Sequence, residues 1–138
     1  MGKKVKQRRS DCPISVGLEL FGDKWTFLII RDLMFKGKSH YAQFLQSEEK
    51  IATNILADRL LSLEGAGVIE KTIDPSHALK YIYKLTPKGI DLMPVLIDLI
   101  LWSAKYDKNT AADMKFVKRA KANREELMKE IRMHLESQ

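Results

Sequence analysis

At 138 residues, 45% of them hydrophobic, the chain is long enough for one domain with a real core. Its apolar runs are far shorter than the roughly 20 residues that cross a bilayer, no apolar segment follows the basic N-terminus as in a signal peptide, and the single cysteine, Cys12, excludes an intramolecular disulfide, so a cytoplasmic protein without membrane association is expected. The net charge of +6 sits at the two ends: residues 1–11 carry five basic residues and one acid, residues 108–138 eight and five, and residues 12–107 eleven and twelve, a pattern that suits phosphate contact and equally a solubilising periphery.

Residues 1–11 read as a flexible basic arm. Cys12 and Pro13 open a short helix over residues 14–21, with Ile14, Leu18 and Phe21 on one side. Gly22 and Asp23 break it, and Asp23 is a good N-cap for a helix over residues 24–35. That helix is apolar on nearly every side (Trp25, Phe27, Leu28, Ile29, Ile30, Leu33, Met34), as a central core helix is. Trp25 is read as a packing anchor rather than a ligand platform.

Residues 36–39 form a turn and residues 40–46 a short helix with Tyr41, Phe44 and Leu45 inward. After a polar turn at residues 47–50 comes the segment on which the rest is organised, a helix ending at Gly65 and Gly67. Ala52, Leu56, Leu60 and Leu63 share one face, while Thr53, Asn54, Ala57, Asp58 and Leu61 fall on the other. A short helix, a brief turn and a longer amphipathic helix make a helix-turn-helix pattern.

Two β-prone stretches follow, residues 68–73 and 80–85, joined by a loop over residues 74–79. A hairpin directly after a helix-turn-helix gives a winged helix, so the fold expected is mainly α with a small β-hairpin wing. Thr86 and Pro87 then start one long helix to about Trp102, with a kink at Pro94. It is too apolar for a single buried stripe; the surplus suits a subunit interface or, alternatively, a buried core. Residues 111–136 read as an amphipathic basic helix with a stripe of Phe116, Ala120, Leu127, Ile131 and Leu135, interrupted near Asn123. It is free to pack on a partner subunit, contact DNA or stand off the domain, so the chain divides into residues 1–11, 12–106 and 107–138.

Enzyme readings are not supported. His40, His77 and His134 lack zinc-type spacing with Cys12. No pair of acids suits acid–base work and no glycine-rich loop suits phosphate, so neither metal nor cofactor is expected.

Several segments, in order, resemble the HxlR-type family of bacterial winged helix-turn-helix regulators, related to the MarR group. They are Cys12, Pro13 and Ile14; residues 22–26 with 30–33; residues 51–60 and 63–69; residues 83–89; and residues 94–96 with Trp102. The resemblance spans residues 12–105. It implies a transcriptional regulator that binds double-stranded DNA as a homodimer on an inverted repeat, with the first helix and the helices after the wing forming the interface. It also implies that the helix starting near Ile51 is the recognition helix, with Thr53 and Asn54 at its groove-facing start. The family's frequent Arg-Phe pair is His40 and Tyr41 here, and its arginine-rich wing is replaced by residues 75–79 with Lys80 beyond.

Asn54 is the residue best suited to base reading, since an amide pairs bidentately with adenine; helix capping is its alternative role. Thr53 suits a thymine methyl, a phosphate or the N-cap itself. Lys50 and the group Lys38, Ser39, His40 and Tyr41 are candidates for phosphate, with His77 and Lys80 as candidate wing contacts. Arg59 is equally suited to a carboxylate partner. In some members of the family a cysteine near the start of the first helix senses oxidants or electrophiles, which makes Cys12 a candidate redox sensor, against its reading as a small apolar residue. An unidentified small-molecule effector is thus a candidate partner. The other functional class open to the sequence is a winged-helix module that binds protein rather than DNA.

Overall fold

A computed structural model describes residues 7–138; of the basic arm expected over residues 1–11, the first six lie outside the described residues. Eight helices and one hairpin follow: α1 (Pro13–Phe21), α2 (Thr26–Phe35), α3 (Tyr41–Phe44), α4 (Thr53–Gly65), β1 (Ile69–Asp74), β2 (His77–Leu85), α5 (Pro87–Ile90), α6 (Met93–Tyr106), α7 (Met114–Ala122) and α8 (Arg124–Glu136). The helix-turn-helix and wing expected from the sequence are both present. The core joins Ile30 and Leu33 of α2, Phe44 of α3, Leu56 and Leu63 of α4, Ile69 of β1 and Ile97 of α6.

Local chemistry explains most of the boundaries. Asp23 takes the backbone N–H groups of Trp25 at 2.9 Å and Thr26 at 3.0 Å, so its carboxylate serves the start of α2, although regular helix begins at Thr26 rather than Lys24. The helix expected over residues 40–46 shrinks to one turn, because beyond Phe44 the backbone passes into three-residue turns, with the N–H groups of Gln46 and Ser47 donating to the carbonyls of Gln43 and Phe44. Gln43 satisfies that turn by accepting from the N–H groups of Ser39 and His40. Gly67, at φ 75°, ends α4 in the left-handed region, as expected; Gly65 stays within the helix. Inside α4 the buried residues are Leu56, Leu60 and Leu63. Ala52 is the exposed N-cap rather than part of that stripe, and Ile51 takes the buried place beside it.

β1 and β2 pair antiparallel, from Ile69 opposite Leu85 to Ile73 opposite Tyr81. The register then jumps to Asp74 opposite His77, so β2 runs into what reads from the sequence as loop. Thr86 caps α5 as expected, accepting from the Gly89 N–H at 3.2 Å and donating to the Gly67 carbonyl at 2.6 Å. Gly89 is required by contact: a Cβ there would stand 2.2 Å from the Val68 carbonyl oxygen.

Two helices differ from expectation. The long helix after the wing is two pieces broken at Asp91 and Leu92, and Pro94 lies in the first turn of α6 instead of kinking a continuous helix. A proline costs nothing in a first turn, where its missing N–H has no partner to lose. The single helix over residues 111–136 is α7 and α8, with Asn123 as N-cap of the second. Val117, Ala120 and Leu127 are buried on the domain itself, and Phe116 meets Phe35 edge-on at 5.8 Å. Arg124 pairs with Asp98 of α6, and Arg132 with Asp91 just ahead of that helix. Among the described residues no helix is long and apolar enough to cross a membrane.

Candidate nucleic-acid interface

The first turn of α4 is open to solvent. Thr53 and Asn54 are its first two helical residues and both are exposed, as are Ala57, Asp58 and Leu61 along the same face. No side chain caps the helix: neither Thr53 nor Asn54 takes the capping role, which falls to Ala52. Its first N–H groups and the positive end of the helix dipole are therefore available to an anion. Lys50, exposed just ahead, has φ 58°, a left-handed conformation that lets the chain turn between α3 and α4. Glycine would adopt it more cheaply.

Two tethers hold that turn. The Tyr41 hydroxyl donates to the Thr53 carbonyl at 2.8 Å. Arg59, further along α4, donates to Asp23 at 3.0 Å and also pairs with Asp58, so its cation is spent on carboxylates and the Asp58 charge is offset.

Behind the turn lies a polar network that no sequence pattern suggests. Asp32, 2% exposed, accepts from Arg31 at 2.8 and 3.0 Å and from the Ser47 hydroxyl at 2.7 Å. Arg31 also grips Glu49 bidentately, at 2.7 and 3.0 Å. That pairing raises the guanidinium pKa and lowers that of Glu49. Lys38 joins the same group through Ser47 at 2.7 Å, with its ammonium 3.6 Å from Asp32. The network binds α2 to the turn that carries Lys50.

A second bridge joins the helix-turn-helix to the wing. His40 Nε2 lies 2.9 Å from an Asp74 oxygen, and its Nδ1 lies 3.1 Å from the Ser39 hydroxyl. The Ser76 hydroxyl and then the His40 ring hold the Asp74 carboxyl down to about 2. Lys38, Ser39 and His40 thus have partners within the protein, whereas Lys50, Thr53, Asn54 and Lys80 project to solvent; His77 is exposed too, its ring accepting the Leu79 N–H at 3.3 Å. A cleft of about 280 Å³ separates Tyr41 from the wing residues Leu79, Lys80 and Tyr81.

An apolar surface is exposed elsewhere. Val95, Leu99, Trp102 and Tyr106 recur along one face of α6 at spacings of four, three and four, and α1 exposes Ile14 and Leu18. Cys12 is exposed at the start of α1, where the backbone N–H groups of Ser15 and Ile14 lower its thiol pKa. Among the described residues no group of three or more His, Cys, Asp or Glu side chains is placed to hold a metal.

Residues 20–111 match the family model described as HxlR-like helix-turn-helix. An uncharacterised HTH-type transcriptional regulator of Synechocystis sp. is 36% identical over 86 residues, covering 62% of this chain and 63% of that protein, so less than two thirds of its length. The HTH-type transcriptional regulator YodB of Bacillus subtilis is 31% identical over 96 residues, covering 69% of this chain and 85% of YodB. Its quinone-bound crystal structure superimposes with a TM-score of 0.56 at 29% identity, over 68% of this chain and 98% of that one. The redox regulator HypR in its oxidized form gives a TM-score of 0.60 at 26% identity, over 68% and 96%.

Proposed function

The chain belongs to the HxlR-like helix-turn-helix family of transcriptional regulators, and from that premise we propose that it binds double-stranded DNA sequence-specifically, as a homodimer on an inverted repeat. The observation that carries this reading is the uncapped, exposed first turn of α4, with Lys50 ahead of it and Thr53 and Asn54 on it. Set in a major groove, Asn54 reads an adenine edge, Thr53 meets a base or phosphate, and Lys50 and the helix N-terminus take phosphate oxygens. His77 and Lys80 follow the backbone from the wing. Lys38, Ser39, His40 and Tyr41 serve chiefly to hold α4 and the wing at a fixed separation.

Changing Asn54 to Ala tests this assignment. Discrimination against a substituted base falls by about 1–3 kcal/mol at one position per half-site, while affinity for nonspecific duplex, set by phosphate contacts, stays near wild type. Competition titrations over single-base operator variants measure both. Unchanged preference removes Asn54 from base reading.

The apolar stripes of α6 and α1 supply the subunit interface, and a cytoplasmic location follows from the function. Control by an oxidant or electrophile acts through Cys12: its thiol is exposed with a lowered pKa, and the relatives include a quinone-bound regulator and a redox regulator. A lowered pKa raises the thiolate fraction, the reactive form. With one cysteine per chain, oxidation joins two subunits or takes a small-thiol cap. Diamide lowers operator binding by the wild type and leaves Cys12→Ser unaffected; equal loss in both excludes the cysteine.

A further inference from the structure

We infer that Leu79 is an apolar wedge which the wing sets into the DNA minor groove beside each half-site, bending the duplex there; this rests on the DNA-binding reading above. Leu79 is 88% exposed, the highest value among the described large apolar residues. It is held outward by the hairpin itself. Between the Ile73–Tyr81 and Asp74–His77 pairs the register leaves Ala78, Leu79 and Lys80 with no partners on β1, so these three residues bulge from the ladder.

The tip is also anchored. His40 fixes Asp74 at 2.9 Å, directly beside the bulge. Lys71 lies over the Tyr81 ring at 4.5 Å and stiffens the face from which the bulge leaves. Tyr41, across the cleft from Leu79, is bonded to Thr53 on the first turn of α4. Leu79 and the base-reading turn therefore stand on one surface with a cleft between them. With α4 in a major groove, a phosphate strand lies in that cleft and Leu79 meets the adjoining minor groove.

The chemistry around Leu79 fits this occupant better than a protein. Lys80 follows it, and the His77 ring before it accepts the Leu79 N–H at 3.3 Å, so an apolar point stands beside a cation and a polar ring, an arrangement that suits minor-groove proteins that unstack a base step. No arginine stands at the tip to read a narrow groove by charge, so flexibility of the step is what remains to be read. Pyrimidine–purine steps unstack most readily and are the ones selected.

The test compares wild type, Leu79→Ala and Leu79→Met on a duplex selected by the wild-type protein, with end-to-end energy transfer reporting the bend. Wild type and Leu79→Met bend the DNA and prefer a TA or CA step under the wing by roughly tenfold, the scale of one mismatched position. Leu79→Ala still binds but loses most of the bend and of the step preference. Equal bending and equal preference by wild type and Leu79→Ala overturn the wedge while leaving DNA binding intact. Failure of the wild type to bind any duplex overturns both readings. Unchanged DNA behaviour with loss of a protein partner in Leu79→Ala reassigns the tip to protein contact.

Discussion

Asp32→Ala destabilises the folded chain by about 3 kcal/mol, the lower end of the range for removing one partner of a buried charge network. Both carboxylate oxygens of Asp32 are used, one by Arg31 and the other by Ser47, with the Lys38 ammonium close by. The truncation leaves the Ser47 hydroxyl without its acceptor, takes the carboxylate away from Lys38, which keeps only its bond to Ser47, and leaves half of the Arg31 fork to solvent. Arg31 keeps Glu49, which is why the upper end of the range is not reached. Urea unfolding measures the change, and a loss under about 1 kcal/mol contradicts it. Operator affinity falls in step, because the same network holds the turn that carries Lys50.

Replacing Leu99 and Trp102 together by Glu gives a folded monomer. Both side chains are already open to solvent, at 48% and 64% exposure, so the protomer core does not change. In the dimer they would be buried, and a carboxylate on each side of the interface meets its symmetry mate in an apolar setting. Sedimentation reports a molecular mass half that of the wild type. Operator affinity drops by at least 100-fold, since the second half-site no longer benefits from the first. An unchanged mass places the subunit interface elsewhere and leaves the stripe on α6 for another protein.

The elements that read correctly from the sequence are those with local signals. The glycine stop of α4, the alternation in residues 80–85 and the Thr86–Pro87 start are each written within a few residues. Errors fall where a boundary depends on what packs nearby. Ala52 has the right spacing for the buried face of α4, but the chain enters the helix at that point and turns it outward, so Ile51 is buried instead. Asn123 interrupts an apolar stripe, yet the break it makes is a new helix start, capped by its own side chain onto the Glu126 N–H.

Candidate site residues divide in the same way. The exposure of Thr53 and Asn54 is legible because helix phase alone turns them outward. Lys38 and His40 are phosphate candidates by charge and position, but their bonds within the protein are not legible there. Their partners, Ser47 and Asp74, stand nine and 34 residues away, and only the fold brings them together. The exposure of Leu79 is likewise invisible in a sequence where residues 74–79 read as an ordinary loop.

Selection from random duplex DNA with the purified 138-residue chain tests sequence-specific dimeric binding most directly. An enriched inverted repeat is expected, with half-site centres about one helical turn apart, near 10 base pairs, and affinity for it falls steeply as salt rises. Absence of any enriched sequence at low salt contradicts that function.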